Sequence, residues 1–373
     1  MISRWTQGML PESRWEPAAP WAPGRLQLYV DDPTLVTWGS ASQRAASFGL
    51  AVLLWMVLGV PLSWTKGAVH PAQAIHVWIG VCFSSPSPGV ARMTLPTQFV
   101  DGLLQLCRKF LSSGRLPLKM ADALVGKAGR VAYVLPHTRP FVHTLYAALA
   151  ASLRAKAAGA KEAAPTDVAC RRFRHGAEVL VRILGFRDRM APVPHSRDIL
   201  AREPSPPDPA VRRFEVDASP WGGGGVLVEN GRPVRCFCCT WRSEDFGDLQ
   251  VEVGSSAWQT FFEVLVLVLA VELWAQGCRP TVVLGDNVAA LQEALSLKGK
   301  GVHAPLSQAL SVLLVSRSLR LAVGHLPSEA NDAADSLSRQ SEPGNVKPWP
   351  FSPALGVTTD VPLSPAALWA WIA

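Results

Sequence analysis

Hydrophobic and polar positions change rhythm several times along the chain, and each rhythm predicts an element. From residue 214, Phe214-Glu215-Val216-Asp217 alternates with period two, as a half-buried strand does. Val226-Leu227-Val228 and residues 232–241 continue as second and third strands, with Gly222 to Gly225 as the turn between the first two. Residues 261–274 are apolar nearly all round, which predicts a buried helix. Residues 281–284 are rich in β-branched residues and predict a strand; a helix begins at Asn287, and residues 319–323 supply the last strand. Upstream, residues 25–36 alternate up to Asp31-Asp32 and resume beyond it, which reads as a hairpin with the two acids at its tip. Residues 95–150 show apolar spacings of three and four, and small residues (Ala123, Gly126, Ala128, Gly129, Ala132) suit closely packed helices. Two apolar runs, residues 45–64 and 261–274, are read as core helices: the first is broken by Gly59, Pro61 and Ser63, and the second is short and carries Glu263 and Glu272.

Composition bounds what these elements can belong to. A chain of 373 residues has room for two or three domains, and 49% hydrophobic against 17% charged residues excludes a disordered chain. The net charge of +7 suits a polyanionic partner. Nearly all of that excess lies in residues 151–213, with 13 Lys and Arg against 7 Asp and Glu and its densest knot at Arg171, Arg172 and Arg174. Such a stretch serves either as a solvated helix face or as a track for phosphates. Residues 202–211, with four prolines, read as a linker. Seven cysteines and no signal-like opening imply a reducing, intracellular setting, cytoplasmic or nuclear. Cys236, Cys238 and Cys239 have no second ligand cluster at zinc spacing and read as strand residues.

The chemistry concentrates in four acids. Asp217 and Asp286 sit at or near strand ends, Glu263 heads the apolar helix, and Asp335 follows His325 by ten positions and Asn331 by four. Glu263 and Glu272 are nine residues apart and fall on opposite faces of one helix, so only one can join the others. For an Asp after a strand, helix N-capping is the ordinary role, and Asp286 is read as serving both purposes. Four carboxylates drawn together can hold two divalent metals, one to activate a water and one to steady a leaving oxygen.

These positions, in this order, resemble the Asp-Glu-Asp-Asp set of ribonuclease H. The spacing of His325, Asn331 and Asp335 matches that family, and Ala334-Asp335-Ser336-Leu337-Ser338-Arg339 is similar to the ending of retroelement ribonuclease H domains. The resemblance implies an α/β fold, a ribonuclease H-like mixed sheet with flanking helices. It implies magnesium, with manganese as a substitute, held by Asp217, Glu263, Asp286 and Asp335, while His325 assists product departure or proton transfer and Asn331 supports the site. It selects Glu263 and leaves Glu272 as a solvated acid, with Asp332 and Glu329 facing solvent. The substrate it implies is an RNA–DNA hybrid.

A second resemblance covers the front of the chain. Tyr29-Val30-Asp31-Asp32 is similar to the Tyr-x-Asp-Asp hairpin of reverse transcriptases, where the acids hold magnesium. Residues 58–67, with Lys66 as the basic residue that meets nucleic acid, resemble the next segment of that family, and Val77-Trp78-Ile79-Gly80-Val81 resembles the primer-gripping hairpin. Residues 126–141 are similar to the segment after the palm in DIRS-type retroelements; as a phosphate loop, Gly126 to Arg130 lacks the Walker pattern. The expected layout is a partial palm in 1–94, preceding a helical thumb in 95–150, a basic connection and linker in 151–211, a ribonuclease H-like domain in 212–340 and a loosely ordered Pro-rich tail in 341–373. A third palm carboxylate is not found before Asp31, so this chain is expected not to polymerise DNA alone, or to do so with a chain that supplies the front half. No membrane partner is expected. A catalytically inactive relic, or a host-adopted module that binds nucleic acid, is the alternative.

Overall fold

A computed structural model describes residues 24–29, 32–37, 39–59, 75–78, 80–87, 90–114, 116–158, 167–185, 195–200, 212–275, 280–317 and 319–372. The chain forms two compact units, residues 1–96 with 196–204, and residues 97–195 with 205–373.

In the first unit, β1 (Gly24–Tyr29) and β2 (Asp32–Thr37) pair antiparallel, with Tyr29 opposite Asp32, as the alternation predicts. Of the expected metal and nucleic-acid residues here, Asp31 and Lys66 lie outside the described residues, and only the backbone of Asp32 is described. Helix α1 (Ala41–Val57) starts at a capping box, in which Ser40 and Gln43 bond each other's backbone N–H. The expectation of a core helix in this stretch is corrected. Only Ser47 and Ala51 are buried, while Phe48, Leu53 and Met56 are exposed, because a run apolar on every side turns one face out when packed on another. Strands β3 (His76–Trp78), β4 (Val81–Ser87), β5 (Val90–Thr94) and β6 (Ser196–Leu200) form an antiparallel sheet in that order. The β3–β4 hairpin places Trp78 opposite Val81. Strand β6, from the stretch read as a basic connection, is fastened to β5 by an Arg92–Asp198 ion pair of 2.6 Å.

The second unit begins with four helices, α2 (Thr97–Ser113), α3 (Leu118–Val134), α4 (Arg139–Ala157) and α5 (Asp167–Gly185). Small residues permit close packing at Ala128 and Ala132, which are buried, whereas Ala123 and Gly126 face solvent. On α5, Phe173, Ala177, Leu180 and Leu184 are buried and Arg171, Arg172 and Arg174 are exposed. This is the amphipathic division that a helix with a core face requires.

The rest of the unit is an α/β domain. Its elements are β7 (Arg212–Ser219), β8 (Gly222–Glu229), β9 (Arg232–Thr240), α6 (Gln259–Trp274), β10 (Pro280–Gly285), α7 (Val288–Ser296), α8 (Ala304–Ser316), β11 (Arg320–His325), α9 (Asp332–Ser338), β12 (Thr358–Thr359) and α10 (Pro365–Ile372). The sheet order is β11-β10-β7-β8-β9-β12: β7, β8 and β9 form an antiparallel meander, and β10 and β11 run parallel to β7 on its other side. This mixed sheet with flanking helices is ribonuclease H-like. With the preceding turn, α6 is apolar and long enough to cross a membrane, but here it lies in the core with Phe261 to Val271 buried.

Two expectations are corrected in this domain. The four glycines are not a turn; all lie within β8, and the turn falls at Pro220-Trp221. Their use is close approach, since a Cβ on Gly224 would stand 2.5 Å from the Ala334 carbonyl oxygen of α9, and one on Gly223 would stand 2.8 Å from the Trp241 ring. The Pro-rich end is not a loose tail. Thr358 and Thr359 extend the sheet beside β9, Trp274 Nε1 donates to Asp360 at 2.8 Å, and α10 places Leu368 in the core. The helices and the sheet also share contacts: Gln308 of α8 donates to Thr144 of α4 at 3.1 Å.

Candidate metal centre

The site lies where β7, β10, α6 and α9 meet. Period two along β7 sends Phe214, Val216 and Ala218 into the core, leaving Asp217 toward α9. There Ser338 Oγ donates to Asp217 Oδ2 at 2.5 Å, and Asn331 Nδ2 donates to the Val216 carbonyl at 2.9 Å. Glu263 lies one turn into α6, where Gln259 Nε2 donates to it at 2.9 Å from four residues earlier. Asp286 comes directly after β10 and accepts from Ser328 Oγ at 2.8 Å. The expected second role of Asp286 as a helix cap goes instead to Asn287, whose side chain accepts from the Ala290 N–H at 3.0 Å.

One carboxylate oxygen from each of Asp217, Glu263 and Asp286 falls within 4.8 Å of the others, a group that could hold a metal ion. Asp217 and Glu263 are buried, 5% exposed each. Burial, then the charges of Asp335 and Asp286, push the Asp217 carboxyl up to about 7 against the opposing hydrogen bond from Ser338. Burial, then Asp217 beside it, hold Glu263 well above the usual carboxylate range. Such a cluster gathers negative charge that water cannot relieve, and a divalent cation is the natural relief. Asn331 Oδ1 is also buried with no hydrogen-bond partner among the described residues, on the wall of the same cleft of about 430 Å³.

Asp335 lines the cleft but stands outside that three-carboxylate group. Arg339 Nε donates to its Oδ1 at 2.6 Å, and the Lys347 ammonium contacts its Oδ2. Burial alone would raise the Asp335 carboxyl; the hydrogen bonds from Lys347 and Arg339 outweigh it and hold the group below its ordinary value. His325 ends β11 opposite Gly285 and is exposed, while Glu329 and Asp332 face solvent and Asp332 also reaches Lys347 at 3.3 Å. Glu272, expected as a solvated acid, is half-buried and paired with Arg317 at 3.2 Å, because α8 ends beside it. Arg174 forms a 4.0 Å pair with Glu178 one turn on.

Sequence reasoning missed Gln259, Ser328, Ser338 and Lys347 as site residues. Gln259 was open to discovery, since a residue four before Glu263 shares its helix face. Ser338 was visible in the motif without a role. Lys347 carries no local signal, for its position depends on how a Pro-rich stretch folds back.

The fold and the site define an α/β domain of ribonuclease H-like architecture with an acidic centre that could hold a divalent metal. No family model and no curated protein matches the chain. Among solved structures it is similar to the foamy viral protease-reverse transcriptase in complex with double-stranded DNA, and to a dRH form of that protein, also with double-stranded DNA. Each alignment has 15% identity and a TM-score of 0.29; each covers 80% of this chain, and 54% and 46% of those chains respectively. The chain spans about half the length of those proteins. The fold assignment rests on the strand order itself.

Proposed function

We propose that the domain spanning residues 212–340 is a ribonuclease H-type endonuclease that cleaves the RNA strand of RNA–DNA hybrids with magnesium, or manganese in its place. The observation that carries the reading is the convergence of Asp217, Glu263 and Asp286 within 4.8 Å at the junction of three elements. A bound divalent ion would supply a water made acidic and a positive charge at the phosphate. The chain's own residues would hold the ion: Asp217, Glu263 and Asp286 would offer oxygens, kept in orientation by Ser338, Gln259 and Ser328. In hydrolysis the water oxygen bonds to phosphorus and the bond to the leaving sugar oxygen breaks. In this reading His325, exposed at the end of β11, assists product departure or proton transfer. Arg171, Arg172 and Arg174, exposed on α5, are the phosphate contacts of this reading.

The wider assignment is to a retroelement reverse transcriptase, with β1–β2 as its palm hairpin and the helices as its thumb. The assignment to DIRS-type elements rests on residues 126–141 alone. Primer extension by the purified chain tests the accompanying expectation that these 373 residues do not polymerise DNA by themselves.

Cleavage of a labelled RNA–DNA hybrid with magnesium tests the nuclease. Asp286→Asn is expected to lower the rate on the order of 1000-fold, since a metal contributes several kcal/mol and about 1.4 kcal/mol is tenfold. Equal cleavage by the variant would remove the assignment. The engagement of Asp335 by two cations favours a second reading, a module that binds hybrid without cutting it. That reading predicts hybrid binding indifferent to magnesium.

A further inference from the structure

Asp335 differs from the other acids in what it touches. Asp217, Glu263 and Asp286 accept hydrogen bonds from the neutral groups of Ser338, Gln259 and Ser328. Asp335 receives a cation of its own chain on each oxygen, Arg339 on Oδ1 and Lys347 on Oδ2. An incoming divalent ion therefore meets three carboxyls hydrogen-bonded only by neutral groups at the three-acid centre, and at Asp335 a carboxylate already paired with two cations of the chain.

Lys347 is delivered by a built loop. Its N–H donates to Asn345 Oδ1 at 2.9 Å, and its carbonyl accepts from Asn345 Nδ2 at 3.2 Å and Gln340 Nε2 at 3.4 Å. Gln340 also donates to the Ser336 carbonyl at 2.8 Å, which fastens the loop to the helix that carries Asp335. A lysine merely sampling a surface acid needs no such anchorage, and exposed pairs of that kind contribute little. Lys347 lines the same cleft as the three acids.

We propose that Lys347 is the built-in cation of this centre: its ammonium takes the place beside Asp335 that a second divalent ion would need, so the centre takes one divalent ion and Lys347 supplies the other positive charge. This rests on the assignment of Asp217, Glu263 and Asp286 as the metal-holding group. It also assigns the loop after α9 a part in the chemistry.

The experiment is manganese binding to the full chain, with stoichiometry read from the electron paramagnetic resonance of free Mn²⁺, and circular dichroism to check the folding of each variant. Wild type and Lys347→Arg are expected to bind one ion, and Lys347→Met two, because removing the ammonium opens Asp335. Two ions bound by wild type would overturn the proposal, and so would a single ion bound by folded Lys347→Met. Asp286→Asn separates the role of Lys347 from that of the three acids. Loss of the wild-type ion in that variant supports its position among the three acids, whereas an unchanged ion overturns the metal assignment itself and this inference with it.

Discussion

Ser338 Oγ donates to Asp217 Oδ2 across 2.5 Å, joining the last turn of α9 to the central strand of the sheet. Ser338 is 1% exposed, and this bond opposes the upward push of burial on Asp217. Ser338→Ala is expected to reduce stability by about 1–3 kcal/mol in chemical denaturation. It should also weaken manganese binding at pH 7 roughly 10-fold, since supporting hydrogen bonds tune ligands on that scale. Calorimetric titration of the variant checks it; unchanged affinity would leave Ser338 a purely structural residue.

The metal-free centre should make stability depend on pH. Asp217 titrates at about 7 in the fold, chiefly because of burial, against 3.8 as an ordinary carboxyl. Between those values the folded chain binds more protons than the unfolded one, so stability falls as pH rises through that window. Glu263 acts with the same sign, while Asp335, lowered, acts oppositely and only below its ordinary 3.8. His137, held down to about 4 by burial, and His143, lowered for the same reason, act with the opposite sign. In thermal melts in EDTA it is therefore the Tm of wild type relative to Asp217→Asn that should fall as pH rises over this range. Parallel profiles would refute the account.

Gly224 has no room for a side chain, because its place in β8 is where α9 crosses the sheet. Gly224→Ala would drive a methyl against the Ala334 carbonyl and Leu337, at a cost of about 1–3 kcal/mol or more. Because α9 carries Asp335 and Ser338, cleavage should fall further than stability alone explains. A folded, fully active variant would count against so tight a fit of α9 on β8.

Leu368 is fully buried by α10, at the end of the Pro-rich stretch. Leu368→Ala is expected to lose about 2–5 kcal/mol, as buried leucines do. Hydrogen exchange should then quicken in α10. Absence of both effects would show that this stretch does not stay docked in solution.

Exposed Arg171, Arg172 and Arg174 predict a salt-dependent grip on nucleic acid. Replacing all three with Ala should reduce the slope of log K against log salt by about 0.9 for each phosphate that the variant no longer neutralises. An unchanged slope in fluorescence anisotropy would place the phosphate track elsewhere.

The hydrophobic pattern by itself determined β7, β9, β10, β11 and α6 of the domain, and the second half of β8. Period two at 214–217, the β-branched run before Asp286 and the all-apolar stretch around Glu263 are local signals, and local sterics and burial suffice to read them. Asp217 and Asp286 sit at recognisable places on their elements, whereas the choice of Glu263 over Glu272 came from the resemblance to ribonuclease H, since helix geometry says only that one of the two can join the others. Tertiary structure alone decided the rest. The glycines of β8 look like a turn until α9 lies across them, because a close approach between elements leaves no mark on the spacing within one of them. The solvated or paired state of Glu272 depends on Arg317, 45 residues away. Asp335 bears the strongest motif of the four acids, yet its charge is met by a lysine from a stretch with no periodic pattern. Electrostatics acts through space, and only folding brings Lys347 to Asp335.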